Sequence, residues 1–396
     1  PLDILPLNAK QGLFRAKNKL QQVRFAGFVT KYVISENGIE IQNGMLDELD
    51  IAPWDSTTIT VPYDGIDFKP TSRYTIRFST TLVEATPWAE AGYEVAASEA
   101  VIHEASEFLP YTYEGADTLS ISGTNSSKIV KGSNFTATFS GGTLSRYALG
   151  GTTLINQPLK LNTFRIPTEN DKTQESNWEN LGVRSLTMSS GTWEVEEDKA
   201  HRWIVLSITN TYKTSTSALT FTVNKQFRIY PDGAICISTV TTPNVEGSVL
   251  PKLGFRLEMP SSAENITWLG RGPFDNYHDR NYAAHWGIHR STVTEQWTNF
   301  VRPQETGNKE DVRWLAVTTD AGKGLLYVSP SGMSTTVGHW RAEDIYTNRS
   351  NRKGHPYEVT FLRSTVVSLD AWNRALGNAS CGPDVLDKYE RKLKQT

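Results

Sequence analysis

Alternation of apolar and polar residues constrains this chain more than any other feature. Phe135-Thr-Ala-Thr-Phe139, Tyr74-Thr-Ile-Arg-Phe78 and Leu219-Thr-Phe-Thr-Val223 each send every second side chain to the same side. A period of two belongs to a strand with one face in a core and the other toward water. Phe227-Arg-Ile-Tyr230, then Pro231-Asp-Gly233, then Ala234–Val240 reads as a hairpin whose turn needs its glycine. Segments with a 3.6-residue period are scarce, and the strand–helix alternation of a catalytic barrel is missing. The one stretch with room for a longer helix is terminal, Asp384–Lys394, and it reads equally well as a strand. The fold class expected is all-β, built from sandwiches.

At 396 residues the chain exceeds one typical domain, and two domains with ample cores are the natural expectation. A boundary falls near Tyr111–Ala116. Residues 13–115 have the length and strand density of an immunoglobulin-like β-sandwich. Residues 116–396 lack a second clear linker and read as one large antiparallel sandwich. Residues 1–12 read as a linker from domains upstream.

The 40 basic and 43 acidic residues are well mixed, net −3, which excludes the clustered cations a nucleic-acid surface needs. No apolar run approaches the ~18–20 residues of a membrane-spanning helix, and no basic-then-apolar leader opens the sequence. Neither nucleic acid nor membrane is therefore expected as a partner. Cys236 and Cys381 are too few for a disulfide framework and have no metal-ligand spacing. His285 and His289 are four apart and could share a helix face as ligands. With no third ligand nearby, the hydrogen-bonded or surface reading is preferred. Eleven tryptophans and fifteen tyrosines suit stacking on sugar C–H faces, and suit sandwich cores equally.

Several motifs could carry chemistry. Arg165-Ile-Pro-Thr-Glu-Asn-Asp171 is dense in groups that hold sugar hydroxyls or cross-brace a turn. Trp268-Leu-Gly-Arg-Gly-Pro-Phe-Asp-Asn-Tyr-His-Asp-Arg280 places Gly270 and Gly272 where special backbone angles would be open, with Pro273 fixing the exit. Its Asp275, Asn276, Asp279 and Arg280 either bind a saccharide or tie the turn. Arg302-Pro-Gln-Glu-Thr-Gly307 follows, and Gly377-Asn-Ala-Ser-Cys-Gly-Pro-Asp384 is a Gly-flanked polar segment.

Together these motifs resemble the C-terminal region of bacterial β-galactosidases of glycoside hydrolase family 2. Ala85-Thr-Pro-Trp-Ala-Glu-Ala-Gly-Tyr93 is similar to a strand-to-strand corner of the family's immunoglobulin-like fourth domain, packed by Trp88. Ser140-Gly-Gly-Thr-Leu144 resembles the opening hairpin of its last domain. The resemblance implies an immunoglobulin-like β-sandwich followed by a galactose-mutarotase-like super-sandwich. It implies a parent that hydrolyses terminal β-D-galactosides with retention, through two carboxylates on a barrel outside this chain. No catalytic residue is then expected here. By resemblance, Arg165, Asn170, Asp171, Asn378 and Cys381 line the substrate site, with Lys172–Trp178 as a poorly ordered loop. Cys381 stands where well-studied members carry a sugar-stacking Trp, and is expected to be a free thiol unbonded to Cys236. No cofactor or metal is evident in this chain. The parent's Mg2+ and Na+ would be held mainly by other domains. Implied partners are a galactoside or other carbohydrate, the upstream barrel and further copies of the chain, in a bacterial cytoplasm or periplasm. Two alternatives stay open: a free-standing carbohydrate-binding protein, and a mutarotase-like isomerase, which would need an acid/base pair such as His with Glu in one cleft.

Overall fold

A computed structural model describes residues 1–189, 191–346, 353–378 and 385–394. Strands dominate it, and every strand pair resolved among the described residues is antiparallel. The chain divides into two compact units. The first comprises Pro1–Pro110 with Leu269–Gly272 and Tyr282–His289; the second comprises Tyr111–Trp268, Pro273–Asn281 and Arg290–Thr396.

Seven strands before Pro110 form two sheets of the first unit. One runs in the order Leu2–Asn8, Leu13–Asn18, Ser56–Thr60; the other in the order Ile39–Met45, Phe28–Glu36, Tyr74–Leu82, Glu94–His103. The expected alternation is visible in burial: Tyr74, Ile76 and Phe78 are inside, and Phe78 meets Phe14 edge-on at 5.0 Å. Residues 1–12 differ from the expected linker. Leu2–Asn8 pairs along Leu13–Asn18, with Leu2 and Ile4 buried, because those two side chains have apolar neighbours to cover. Trp88 also departs from expectation. The corner around it forms, with Thr86 bridged to Ala89, yet Trp88 is 67% exposed and touches only the edge of Tyr93 among rings.

The second unit is built on a sheet whose strands run in the order Gln157–Asn162, Lys252–Pro260, Ser364–Asn373, Gly324–Gly338, Lys309–Thr318. Two further sheets, of five strands each, share its largest core, where Phe139, Phe227, Leu257, Val337 and Val367 meet. The predicted hairpin is present: Thr220–Ile229 pairs with Ile235–Pro243 through a turn whose Gly233 takes φ +95°. Gly270 and Gly272, by contrast, lie in a regular strand and are not among the positive-φ glycines.

The opposite face of this sheet is buried too, but it is polar. Lys252, Arg256 and Glu258 alternate with apolar residues, as do Ser364, Ser368 and Asp370 on the neighbouring strand. Segments 163–183, 296–308 and 340–346 carry the partners of this face. Burying charges is tolerable only where each finds a counter-charge or donor. Here Lys252 pairs with Asp370 at 3.0 Å, Arg341 with Glu258 at 2.6 Å, and Arg256 with Glu343 through both guanidinium nitrogens.

Two helical expectations are corrected. Lys172–Leu181, expected to begin as a loose loop, is an α-helix, here α1. Thr168 and Asp171 form a capping box on the short 3-10 turn that feeds it, and Gly182 closes it at φ +68°. Its anchor is Trp178, 2% exposed, whose indole N–H donates to the Val249 carbonyl at 3.1 Å. In the terminal segment, residues 385–394 hold only a 3-10 turn at Asp387–Tyr389 and a bridge from Lys392 to Val249.

Candidate functional site

The polar motifs of the second unit meet at the segment Arg374–Asn378. Arg165 lies just after the strand Gln157–Asn162 and is 0% exposed, as is Asp171. Their two guanidinium nitrogens and two carboxylate oxygens pair at 2.9 and 3.0 Å. Arg374, also fully buried, adds a second guanidinium to Asp171 at 3.0 Å and reaches Glu390 at 3.0 Å. Asp171 further accepts the backbone and hydroxyl of Thr168. One carboxylate therefore ties the start of α1 to a strand end some two hundred residues later.

The same segment is held from two more directions. Asn170 donates its side-chain amide to the Gly377 carbonyl at 2.8 Å. Asp279, from the Trp268–Arg280 motif, accepts the backbone N–H groups of Leu376 and Gly377 at 3.0 and 2.7 Å. The rest of that motif ties itself down. Arg280 pairs with Asp275 at 2.9 Å, and buried Asn276 exchanges bonds with Asn308 and Glu310. Arg302 pairs with Glu169 at 3.2 Å, beside Asn170.

Behind this brace lies the charged face of the sheet. Burial works against the charge on Arg165, but Asp171 and then Glu305 hold its pKa above the ordinary value. Lys252 behaves alike: burial opposes its charge, and Asp370 and Glu305 outweigh it. Burial lifts the Asp370 carboxyl to about 6, partly offset by Lys252. The cavity bounded by Arg165, Lys252, Glu305 and Trp340 measures about 30 Å³, room for roughly one or two waters and no sugar.

A third constellation joins His278 to Glu310 at 3.4 Å. Burial pushes Glu310 up to about 7, against the hydrogen bonds from Ser334 and Asn308. Burial lowers His278.

Of the five residues expected to line a sugar site, Arg165 and Asp171 are sealed from solvent and Asn170 is partly exposed. Asn378 is exposed, and Cys381 lies outside the described residues. Cys236 is an exposed free thiol. His285 and His289 stand on a strand, not a helix, with rings 5.0 Å apart, and burial takes His285 down to about 4. Among the described residues no group of three or more His, Cys, Asp or Glu is placed to hold a metal ion. Among the described residues no helix is long and apolar enough to cross a membrane. Arg374, Lys252, Glu305 and Asp370 were not foreseen. A buried cation inside a strand pattern is the signal they leave, and it does not name its partner.

The chain is all-β, and its second unit braces a surface segment with paired charges. Comparison with known proteins narrows that description. The family described as beta galactosidase small chain matches residues 131–396, and beta-galactosidase domain 4 matches residues 14–103. The chain belongs to the β-galactosidase small-chain family and corresponds to a C-terminal region of such proteins. A β-galactosidase of Priestia megaterium is 27% identical over 329 residues, covering 82% of this chain and 31% of the relative. Those of Arthrobacter sp. and Halalkalibacterium halodurans are 27% and 25% identical, covering 90% and 93% of this chain and 36% of each relative. The chain thus spans about a third of the length of these curated relatives.

Proposed function

We propose that this chain is the non-catalytic C-terminal part of a retaining β-galactosidase, an immunoglobulin-like sandwich followed by a large sandwich that walls the sugar site. The observation that carries the reading is the double hold on Leu376–Gly377 by Asn170 and Asp279. Nothing local forces segments so far apart to meet, and both reach the surface beside exposed Asn378. On this reading Asn170 and Asn378 face the galactoside. Buried Arg165 and Asp171 act as positioning residues, fixing the backbone that presents them. The carboxylate pair that retention needs comes from outside the chain.

The test is hydrolysis of a chromogenic β-galactoside. The purified chain alone is expected to match the buffer blank. Turnover that survives repurification and vanishes on replacing one of this chain's own carboxylates overturns the reading. In the intact parent enzyme, Asn170→Ala is expected to weaken galactoside binding without unfolding the second unit.

A second reading rests on His278 and Glu310. In a sugar isomerase one such group takes the proton of the anomeric hydroxyl while the other protonates the ring oxygen, so the C1–O5 bond opens to the aldehyde. Polarimetry of fresh α-D-galactose decides it, since an unaltered mutarotation rate removes this reading and leaves the first untouched.

A further inference from the structure

Ile235-Cys-Ile-Ser-Thr-Val-Thr-Thr-Pro243 ends the sheet it shares with Thr220–Ile229 and Ile204–Thr214. One side of this strand pairs along Thr220–Ile229, and among the described residues no strand pairs with its other side. An open edge presents a row of unpaired backbone N–H and C=O groups, and chains that stay single blunt it with charges, a proline within the strand or a short length. The sheet-ending strands of this chain keep to that rule with one exception. Those longer than five residues carry Asp3, Glu40, Glu94, Lys160 or Arg290. Ile235–Pro243 runs for nine residues without a charge, and its proline stands only at its end. Six of the nine are β-branched, the residue type that fits a paired, pleated surface.

The side chains are as accessible as the backbone. Ile237 and Val240 are 44% and 54% exposed, with Cys236 and Ser238 open beside them. Alternation puts Cys236, Ser238 and Val240 on the outer face, in register with Arg228, Gln226 and Asn224 of the neighbouring strand. The partner that fits is an extended, uncharged edge, and a second copy of the same strand is one. Antiparallel pairing is compatible with a two-fold axis, so a strand can lie against its own copy and make every backbone bond twice. Charges on such a strand would approach their own twins across the axis, and this strand has none to oppose. Pro243 offers no N–H, which leaves Ile235–Thr242 as the pairing run. The pleat keeps each face on its own side only if one residue stands opposite its own copy, and the middle of that run places the axis at Ser238 or Thr239. We propose that Ile235–Pro243 joins two copies of this chain edge to edge, making one continuous antiparallel sheet.

The test is sedimentation of the full chain across the micromolar range. The wild-type chain is expected to pass from monomer to dimer. Ser238→Lys and Ser238→Glu each bring like charges together beside the axis and should raise the dissociation constant roughly tenfold or more. Ser238 is exposed on the outer face, so neither change disturbs the core. An equimolar mixture of the two variants should pair again as a heterodimer, which a misfolded variant could not do. Amide exchange within Ile235–Thr242 should slow as the wild-type concentration rises, because pairing covers the outward N–H groups. The proposal is overturned by a wild-type chain that stays monomeric, by variants that associate as tightly as wild type, by a mixture no tighter than either variant alone, or by exchange in this strand that ignores concentration. Turnover of a β-galactoside is not read here, so this interface and the galactosidase reading can each fail without the other.

Discussion

Asp171 is one carboxylate serving two guanidinium groups, a hydroxyl and a backbone N–H, all away from water. Removing it takes a counter-charge from two buried cations, and breaking a buried pair costs about 3–5 kcal/mol. Asp171→Ala is expected to lower the unfolding free energy of the second unit, read from urea titration, by that much; a loss below 1 kcal/mol, the scale of exposed pairs, would show that the brace contributes little. Glu310 sets a pH dependence of its own. Burial raises its carboxyl from 4.5 to about 7, with Asn308, Ser334 and His278 as the groups in contact. The fold holds this proton more tightly than the unfolded chain. Its contribution is complete below pH 4.5 and is lost as the pH rises to about 7, roughly 3 kcal/mol in all. Glu310→Gln cannot ionise, so the stability advantage of wild type over this variant should shrink across that window. Parallel curves for the two proteins would refute the assignment.

α1 shows what a sequence hides at the scale of an element. Lys172-Thr-Gln-Glu-Ser-Asn-Trp-Glu-Asn-Leu181 has Trp178 and Leu181 as its only large apolar residues, so no apolar stripe marks it. Its boundaries were legible in principle, with Thr168 three residues before Asp171 and Gly182 after the last turn. What makes the helix is tertiary. Trp178 fills a core, and the hydroxyls of Thr216 and Ser217 cap the last carbonyls of α1. Strands were far easier to read, because each needs only a core on one side. The central sheet of the second unit is the exception, and its paired charges Lys252 and Asp370 look out of place until both buried faces are seen. The site was half legible for the same reason. Arg165 and Asp171 stand close together in a polar run, whereas Arg374 meets Asp171 from 203 residues away. Gly182 offers the sharpest test of this element. At φ +68° a side chain is strained, and a Cβ there would strike Thr216. Gly182→Ala should cost roughly 1–3 kcal/mol, and adding Thr216→Ala should restore the steric part, leaving the backbone part.

The two compact units are not two consecutive lengths of chain. The first takes in Leu269–Gly272 and Tyr282–His289, and these residues matter to it. The Trp286 ring lies 4.5 Å from the Arg73 guanidinium, the Trp286 backbone N–H donates to Glu99 at 2.7 Å, and Arg271 stands 3.5 Å from the same carboxylate. A fragment ending at Pro110 would leave Glu99 without either partner. Amide exchange at Ile76 and Phe78 should therefore be faster in the fragment 1–110 than in the whole chain. Equal protection would mean that those late residues decorate a unit already complete.

On the ribosome this arrangement becomes a schedule. Arg73 and Glu99 leave the exit tunnel well ahead of Trp286, by on the order of ten to forty seconds at usual synthesis rates. Throughout that interval the first sandwich is a nascent body waiting for its closing piece. A nick anywhere between Pro110 and Leu269 would leave that piece on the other fragment, so the two halves of a cut chain would have reason to find each other again.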